Sequence, residues 1–301
     1  MFVKLMLRRQ SQRSGHRAAI YDLEPAPDGF YSAAADGYLV HWHREDADFG
    51  RVVATVEGGK FLSLTATPEG LVAGTLDGGV HWLYPDDPAR NRHVAHHRRG
   101  TFSLLTVGNQ VYSAGGDGVL TRWSIKHART EETLPLCPNS LRRLAYDPVR
   151  DRLAAGGSDG KVYLLDEPRL SLLASAPAHP PSVFALAFSA DGNTLYTGGR
   201  DAALSRWDVS QDQLREQQRV TAHLMTINAL ALHPGGKYLA TASRDKTVKL
   251  WQADTLELLK VIEVVRDKGH VNSVNTLAWL DDHTLITAGD DRRVLEWKVK
   301  V

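Results

Sequence analysis

A single cysteine, Cys137, is present among 301 residues, so no intramolecular disulfide framework holds this chain together. Neither sign of charge dominates: 36 Lys and Arg against 35 Asp and Glu leave a formal net charge of +1. That balance supplies no bulk field to attract nucleic acid or an anionic membrane. No stretch shows a helical period of any length, and no low-complexity tail extends from the rest. The opening MFVKLMLRRQ is apolar but too short to span a bilayer, Lys4 interrupts it, and no small-residue cleavage site follows. H-E-x-x-H, phosphate-loop, dinucleotide and EF-hand motifs are all missing. These absences lead us to expect a soluble, cytoplasmic, cofactor-free β protein.

What the chain does contain is clearest from His223 to Trp251. An apolar segment with Ile227, Leu230 and Leu232 is broken by His233-Pro234-Gly235-Gly236. A second apolar run, Tyr238 to Ala242, ends at Arg244-Asp245-Lys246. A third, with Val248, Leu250 and Trp251 alternating against Lys249, completes three short strands. The marker is an Asp in a tight turn followed by a strand ending in Trp. It recurs as Asp36 and Trp42, Asp77 and Trp82, Asp117 and Trp123, Asp201 and Trp207, Asp245 and Trp251, and Asp291 and Trp297. A seventh copy, Asp159 to Leu165, lacks the Trp. Successive Asp positions lie 41, 40, 42, 42, 44 and 46 residues apart, which is one supersecondary unit repeated seven times.

On these residues the chain resembles the WD40-repeat family along nearly its whole length. The resemblance implies an all-β fold: a seven-bladed propeller of four-stranded antiparallel blades. It also implies a buried set in each blade, with His before the first strand, Ser or Thr on the second, Asp in the turn and Trp on the third. Five units carry all four: His16, Ser32, Asp36 and Trp42; His97, Ser113, Asp117 and Trp123; His179, Thr197, Asp201 and Trp207; His223, Thr241, Asp245 and Trp251; His270, Thr287, Asp291 and Trp297. Two units lose His and hydroxyl together. The second has Glu57 and Ala73, and the fourth has Cys137 and Ala155. A coupled network predicts such joint loss, because a buried polar group without its partner costs on the order of 1–3 kcal/mol.

The propeller reading treats 1–301 as one domain, with blades at about 16–56, 57–96, 97–136, 137–178, 179–222, 223–268 and 269–301. The last unit stops after its third strand, so residues 1–10 are expected to supply the missing strand and close the ring. Gly156-Gly157-Ser158-Asp159-Gly160 fits the G-x-S-x-G nucleophile elbow, but that motif needs a strand-to-helix turn. Here it matches the turn Gly115-Gly116-Asp117-Gly118 of the preceding repeat, so no catalytic residue is assigned. His93, His96 and His97 cluster, yet His97 is claimed by its blade, and no metal is expected. His41 and His81, each just before a Trp, are read as a solvated face.

The resemblance further implies a non-catalytic scaffold that binds a protein or peptide on the face carrying the Asp turns. Around the channel there, the second residue of each first strand should sit at the mouth: Tyr21, Leu62, Phe102, Arg142, Phe184, Asn228 and Asn275. The residues before the turn Asp should flank it, namely Ala35, Leu76, Gly116, Ser158, Arg200, Arg244 and Asp290. Tyr, Phe and Arg are types enriched in interaction hot spots. The expected site is an apolar arc on the first three blades, with Arg142, Arg200 and Arg244 receiving carboxylates or carbonyls opposite. The chain alone is expected to be monomeric. An enzyme at the channel mouth and a nucleic-acid-binding propeller are the rival readings.

Overall fold

The computed structural model describes residues 6–46 and 49–300. Short strands with tight turns between them form seven antiparallel sheets of four strands each, arranged as a seven-bladed propeller. Blade one is built from Ile20–Ala26, Gly29–Ala34, Tyr38–His43 and Gly50–Thr55, in that order. The first strands of neighbouring blades pack against one another around the axis. The fourth strands are the outermost and mostly exposed, as in Arg129–Pro135. Strand direction alternates, so the Asp turns and the loops entering each first strand share one end of the ring. The turns after each first strand lie at the other end.

The core is a ring of apolar layers between blades. Ile20, Leu23, Phe30 and Trp42 of blade one meet Ile286, Ala288 and Val294 of blade seven. On its other side, Ala33 and Leu39 meet Phe61, Leu64 and Leu71 of blade two. This two-sided burial explains why the second strands read as apolar runs rather than as alternating ones.

The ring is closed by the strand Met6–Ser14, which pairs with Arg293–Lys300 of the last blade. Met6 lies opposite Lys300 and Ser14 opposite Arg293, with a bulge at Arg9–Ser11. The pairing therefore continues four residues past the expected limit at residue 10, while residues 1–5 fall outside the described part of the chain. Leu7 enters the apolar layer with Trp297 and Val299.

Five blades carry the same hydrogen-bonded chain from turn to core. The His Nδ1 lies 2.9–3.0 Å from the turn carboxylate. The His Nε2 lies 2.7–2.8 Å from the Ser or Thr hydroxyl. The Trp indole N–H donates to that hydroxyl oxygen at 2.8–2.9 Å. A carboxylate only accepts, so Nδ1 carries the proton and Nε2 accepts from the hydroxyl; every donor then has an acceptor. Burial lowers the pKa of His16, His97 and His223, against the pull of their Asp partners. The residue after each Asp has a left-handed backbone. It is glycine in four blades, and at Gly37 a Cβ would lie 2.4 Å from the Val56 carbonyl oxygen. Blades five to seven place Ala202, Lys246 and Arg292 there instead.

Blades two and four are not simply depleted. Across from Ala73 stands His81, and across from Ala155 stands Tyr163. Both reach the turn from the third strand, where the missing His would have reached it from the entering loop. The Tyr163 hydroxyl donates to Asp159 at 2.5 Å. His81 Nε2 lies 3.4 Å from the Thr75 hydroxyl, which donates to Asp77 at 2.5 Å. Trp82 is not the counterpart of the other tryptophans. It stands five residues after its Asp rather than six, so Leu83 takes the place of Trp42 against the preceding blade. Trp82 faces the next blade, with its ring centroid 6.3 Å from that of Trp123. Its indole nitrogen is buried without a hydrogen-bond partner. The position before the core residue is thus His41 in blade one but Trp82, not His81, in blade two. Nor is His41 a solvated residue: it is buried and stacked on Tyr31 at 4.4 Å.

Two outcomes follow from this architecture. A chain lacking residues 1–14 should melt several degrees below wild type and associate in a concentration-dependent way by light scattering, since the edge of Arg293–Lys300 is then open. Thr241→Val keeps the shape but strips both His223 and Trp251 of their partner. It should cost about 1–3 kcal/mol in denaturant unfolding.

Candidate binding site at the channel mouth

Each first strand begins with a bulge. In blade one Ile20 pairs with Ala34 and Asp22 with Ala33, leaving Tyr21 without an opposite number. The same irregularity falls at Leu62, Phe102, Arg142, Phe184, Asn228 and Asn275. A bulge re-aims the extra side chain. Here all seven are turned to one cavity of about 330 Å³ at the end of the ring that carries the Asp turns. Leu76 and Arg143 complete its wall.

The two halves of the mouth differ chemically. Arg142 lies over the ring of Phe102 at 4.2 Å and faces that of Phe184 at 5.6 Å. Its Nε donates to the Ser158 hydroxyl at 2.7 Å. Burial, and then the nearby charge of Arg200, lowers its pKa. On the other side Asn228 donates to the Val274 carbonyl at 2.8 Å, and Asn275 donates to the Ile20 carbonyl at 3.0 Å. Both amides stitch a blade to its neighbour. Tyr21 remains 37% exposed beside them, and burial followed by the charge of Asp290 raises its pKa.

Deeper in the channel are two carboxylates. Asp22 accepts the Leu64 N–H at 2.9 Å, and Glu24 accepts the Ala66 N–H at 2.9 Å. They satisfy backbone donors on the open inner edge of blade two. Arg143 approaches Asp22 at 3.9 Å. Burial raises both carboxyls; that of Glu24 is pushed up to about 7, opposed by the Ala66 N–H and reinforced by the charge of Asp22.

The structure thus gathers Tyr21, Leu62, Phe102, Arg142, Phe184, Asn228 and Asn275 at one opening. Arg200, Arg244 and Asp290 are exposed and do not form its wall. Asp290 accepts from Asn275 at 2.7 Å. The arc is also arranged differently from the expectation. Its aromatic part runs on to blade five, and Arg142 covers it rather than facing it from across the mouth. Arg143, Asp22 and Glu24 escaped notice in the sequence. Asp22 and Glu24 alternate within an otherwise apolar first strand, and that pattern was the available signal.

Comparison with known proteins agrees with this architecture. The family described as WD domain, G-beta repeat matches residues 170–208, 214–252 and 260–298. The chain carries WD40 repeats. Each matched WD40 segment contains the outer strand of one blade and the first three of the next, so the repeat in sequence is offset from the blade by one strand. The small ribosomal subunit protein RACK1 of Candida albicans is 34% identical over 120 residues, 36% of this chain and 38% of that protein. Human kinesin-like protein KIF21A is 28% identical over 205 residues, 66% of this chain and 12% of that protein. A WD repeat-containing protein 91 homolog of Dictyostelium discoideum is 29% identical over 93 residues, 31% of this chain and 12% of that protein. The matches to these three relatives span between 12% and 38% of their own length. Among the described residues no helix is long and apolar enough to cross a membrane.

Glu24 supplies a test of the channel's electrostatics. A carboxyl whose folded pKa is raised contributes stability that is present at low pH and lost as pH rises through about 7. Glu24→Gln removes that loss while keeping an acceptor for the Ala66 N–H. It should melt a few degrees above wild type near pH 8 and together with it near pH 4, by calorimetry.

Proposed function

We propose that this WD40 propeller is a non-catalytic scaffold that holds a protein or peptide partner at the channel mouth. The observation that carries this reading is the convergence of seven bulge residues on one opening, with Arg142 lying over Phe102 and facing Phe184. Blade packing does not require aromatic and Arg side chains at these bulges; a partner's side chain gains from them. Around the same end, the loops entering blades six and seven expose Leu224, Met225 and Val271, and Leu76 stands out beside the mouth. Exposed apolar groups gathered at one end mark interaction surfaces. The fitting ligand offers an apolar or aromatic group to Tyr21, Leu62 and Leu76, and a carboxylate or carbonyl to Arg142 and Arg200. A relative named as a ribosomal subunit protein supports the scaffold reading, since that name describes a component of an assembly.

The test is affinity capture from native cell extract, wild type beside a Tyr21→Ala, Phe102→Ala, Phe184→Ala variant with an unchanged far-ultraviolet spectrum and a cooperative melt. A photo-crosslinker at position 76 identifies what touches the mouth. Proteins captured and crosslinked by wild type should be lost, by tenfold or more, from the variant. Equal capture by both would move the partner to another surface.

A further inference from the structure

At the opposite end of the ring, blade one meets blade two in a groove of about 650 Å³. His41 and His43 lie two residues apart on the strand Tyr38–His43, so their rings project from the same side of the sheet. Asp28, in the turn between the first two strands, stands between them. Its carboxylate oxygens lie 3.1 Å from His41 Nε2 and 3.2 Å from His43 Nδ1, and the two imidazole centroids are 4.3 Å apart. The three donor atoms all fall within 4.8 Å of one another, the one such set of His, Cys, Asp or Glu among the described residues.

We infer that Asp28, His41 and His43 form a binding site for a divalent transition-metal ion of the zinc class. An ion bonded at about 2.0–2.2 Å to nitrogen and oxygen ligands spaces them roughly 3.3–3.5 Å apart in a tetrahedron. The two imidazole-to-carboxylate separations, 3.1 and 3.2 Å, are close to that. Imidazole ligands favour zinc, copper, nickel or cobalt over magnesium and calcium. His41 is held in place from behind by stacking on Tyr31 at 4.4 Å, the kind of support that orients a ligand ring. The surroundings favour a cation. Four carboxylates line the groove, Asp28, Glu69, Asp86 and Asp87, against the guanidinium groups of Arg51 and Arg90. Arg90 is already engaged, paired with Glu69 at 2.9 Å and stacked on Tyr84 at 4.1 Å. Arg51, across the ladder from His41, is the opposing charge. Three protein ligands leave a fourth position open, and it faces the groove. An ion there accepts one further ligand from solution or from a docked partner, at the end of the propeller away from the mouth.

The experiment uses the full chain without an affinity tag, titrated with Zn²⁺ against a colorimetric chelator and separately with Co²⁺ as a spectroscopic probe. Wild type should bind one Zn²⁺ per chain, gain thermal stability from it, and show a visible Co²⁺ absorption band. The Asp28→Asn, His43→Ala variant changes only groups that are about half exposed, so its metal-free melt should match wild type. It should bind at least about tenfold more weakly and lose the band. A His93→Ala, His96→Ala variant controls for the other histidine cluster and should bind as wild type does. No stoichiometric Zn²⁺ binding by wild type, or equal binding by the Asp28 and His43 variant, would show the trio to be a hydrogen-bonded set only and overturn the inference.

Discussion

The hydrogen-bonded chain from Trp through hydroxyl and His to the turn Asp is the constraint on which the blades depend. It links three segments distant in sequence: the loop entering a blade, its second strand and its third. In blade six these are His223, Thr241 and Trp251, all at most 4% exposed. Burying such groups is costly unless each donor finds an acceptor, so the set is either complete or rebuilt. Blades two and four show the rebuilding. His81 and Tyr163 enter from the same place on the third strand and approach the turn that lacks its His. Blade two leaves an orphan, the Trp82 indole nitrogen, where the Trp has turned to face the neighbouring blade.

The same chain of bonds explains why the two ends of the ring differ. At the Asp-turn end, loops are tied to the sheets, and the bulges that follow them can aim Tyr21, Phe102, Arg142 and Phe184 with little freedom. At the other end the turns do not repeat this set; where they are tied down it is by individual contacts, such as buried Arg152 donating to Asp147 and to the Gly192 carbonyl, and their lengths and residues vary. Asp28, His41 and His43 meet there because blade one places two histidines on one strand and an Asp in the adjoining turn. No other blade repeats that arrangement among the described residues.

Much of this was legible from the chain alone. The Asp period identified seven blades, and the missing final strand implied closure by the N-terminal segment. Spacing counted in whole repeats was less sharp at single residues. Asp77 to Trp82 is five residues rather than six, and in a strand one residue decides which face a side chain takes. Reading His41 and His81 as equivalent carried the same error. The mouth residues were legible because their position repeats; their partners were not. That Arg142 would lie over Phe102 depends on contacts between blades three and four, which no periodicity encodes. Arg200 and Arg244 stay outside the wall although Leu76, at the equivalent turn position of blade two, reaches it, so the repeat position alone does not decide which turn residue lines the mouth. Asp22 and Glu24 looked out of place in an apolar strand, and their reason lies in the next blade, whose Leu64 and Ala66 N–H groups they receive.

Ring closure brings Met6 against Lys300, nearly the full chain apart, whereas every other pairing joins residues a few tens of positions apart at most. The entropy of drawing two chain ends together grows only with the logarithm of their separation. Closing the circle therefore costs roughly 2 kcal/mol more than closing a single forty-residue blade. Against that stand the ladder of the strand Met6–Ser14 and the burial of Leu7 in the last apolar layer. The final contact is long in sequence but cheap in chain entropy, and it latches the last sheet with residues from the far end of the chain, so that the first and last blades cannot separate without breaking a ladder.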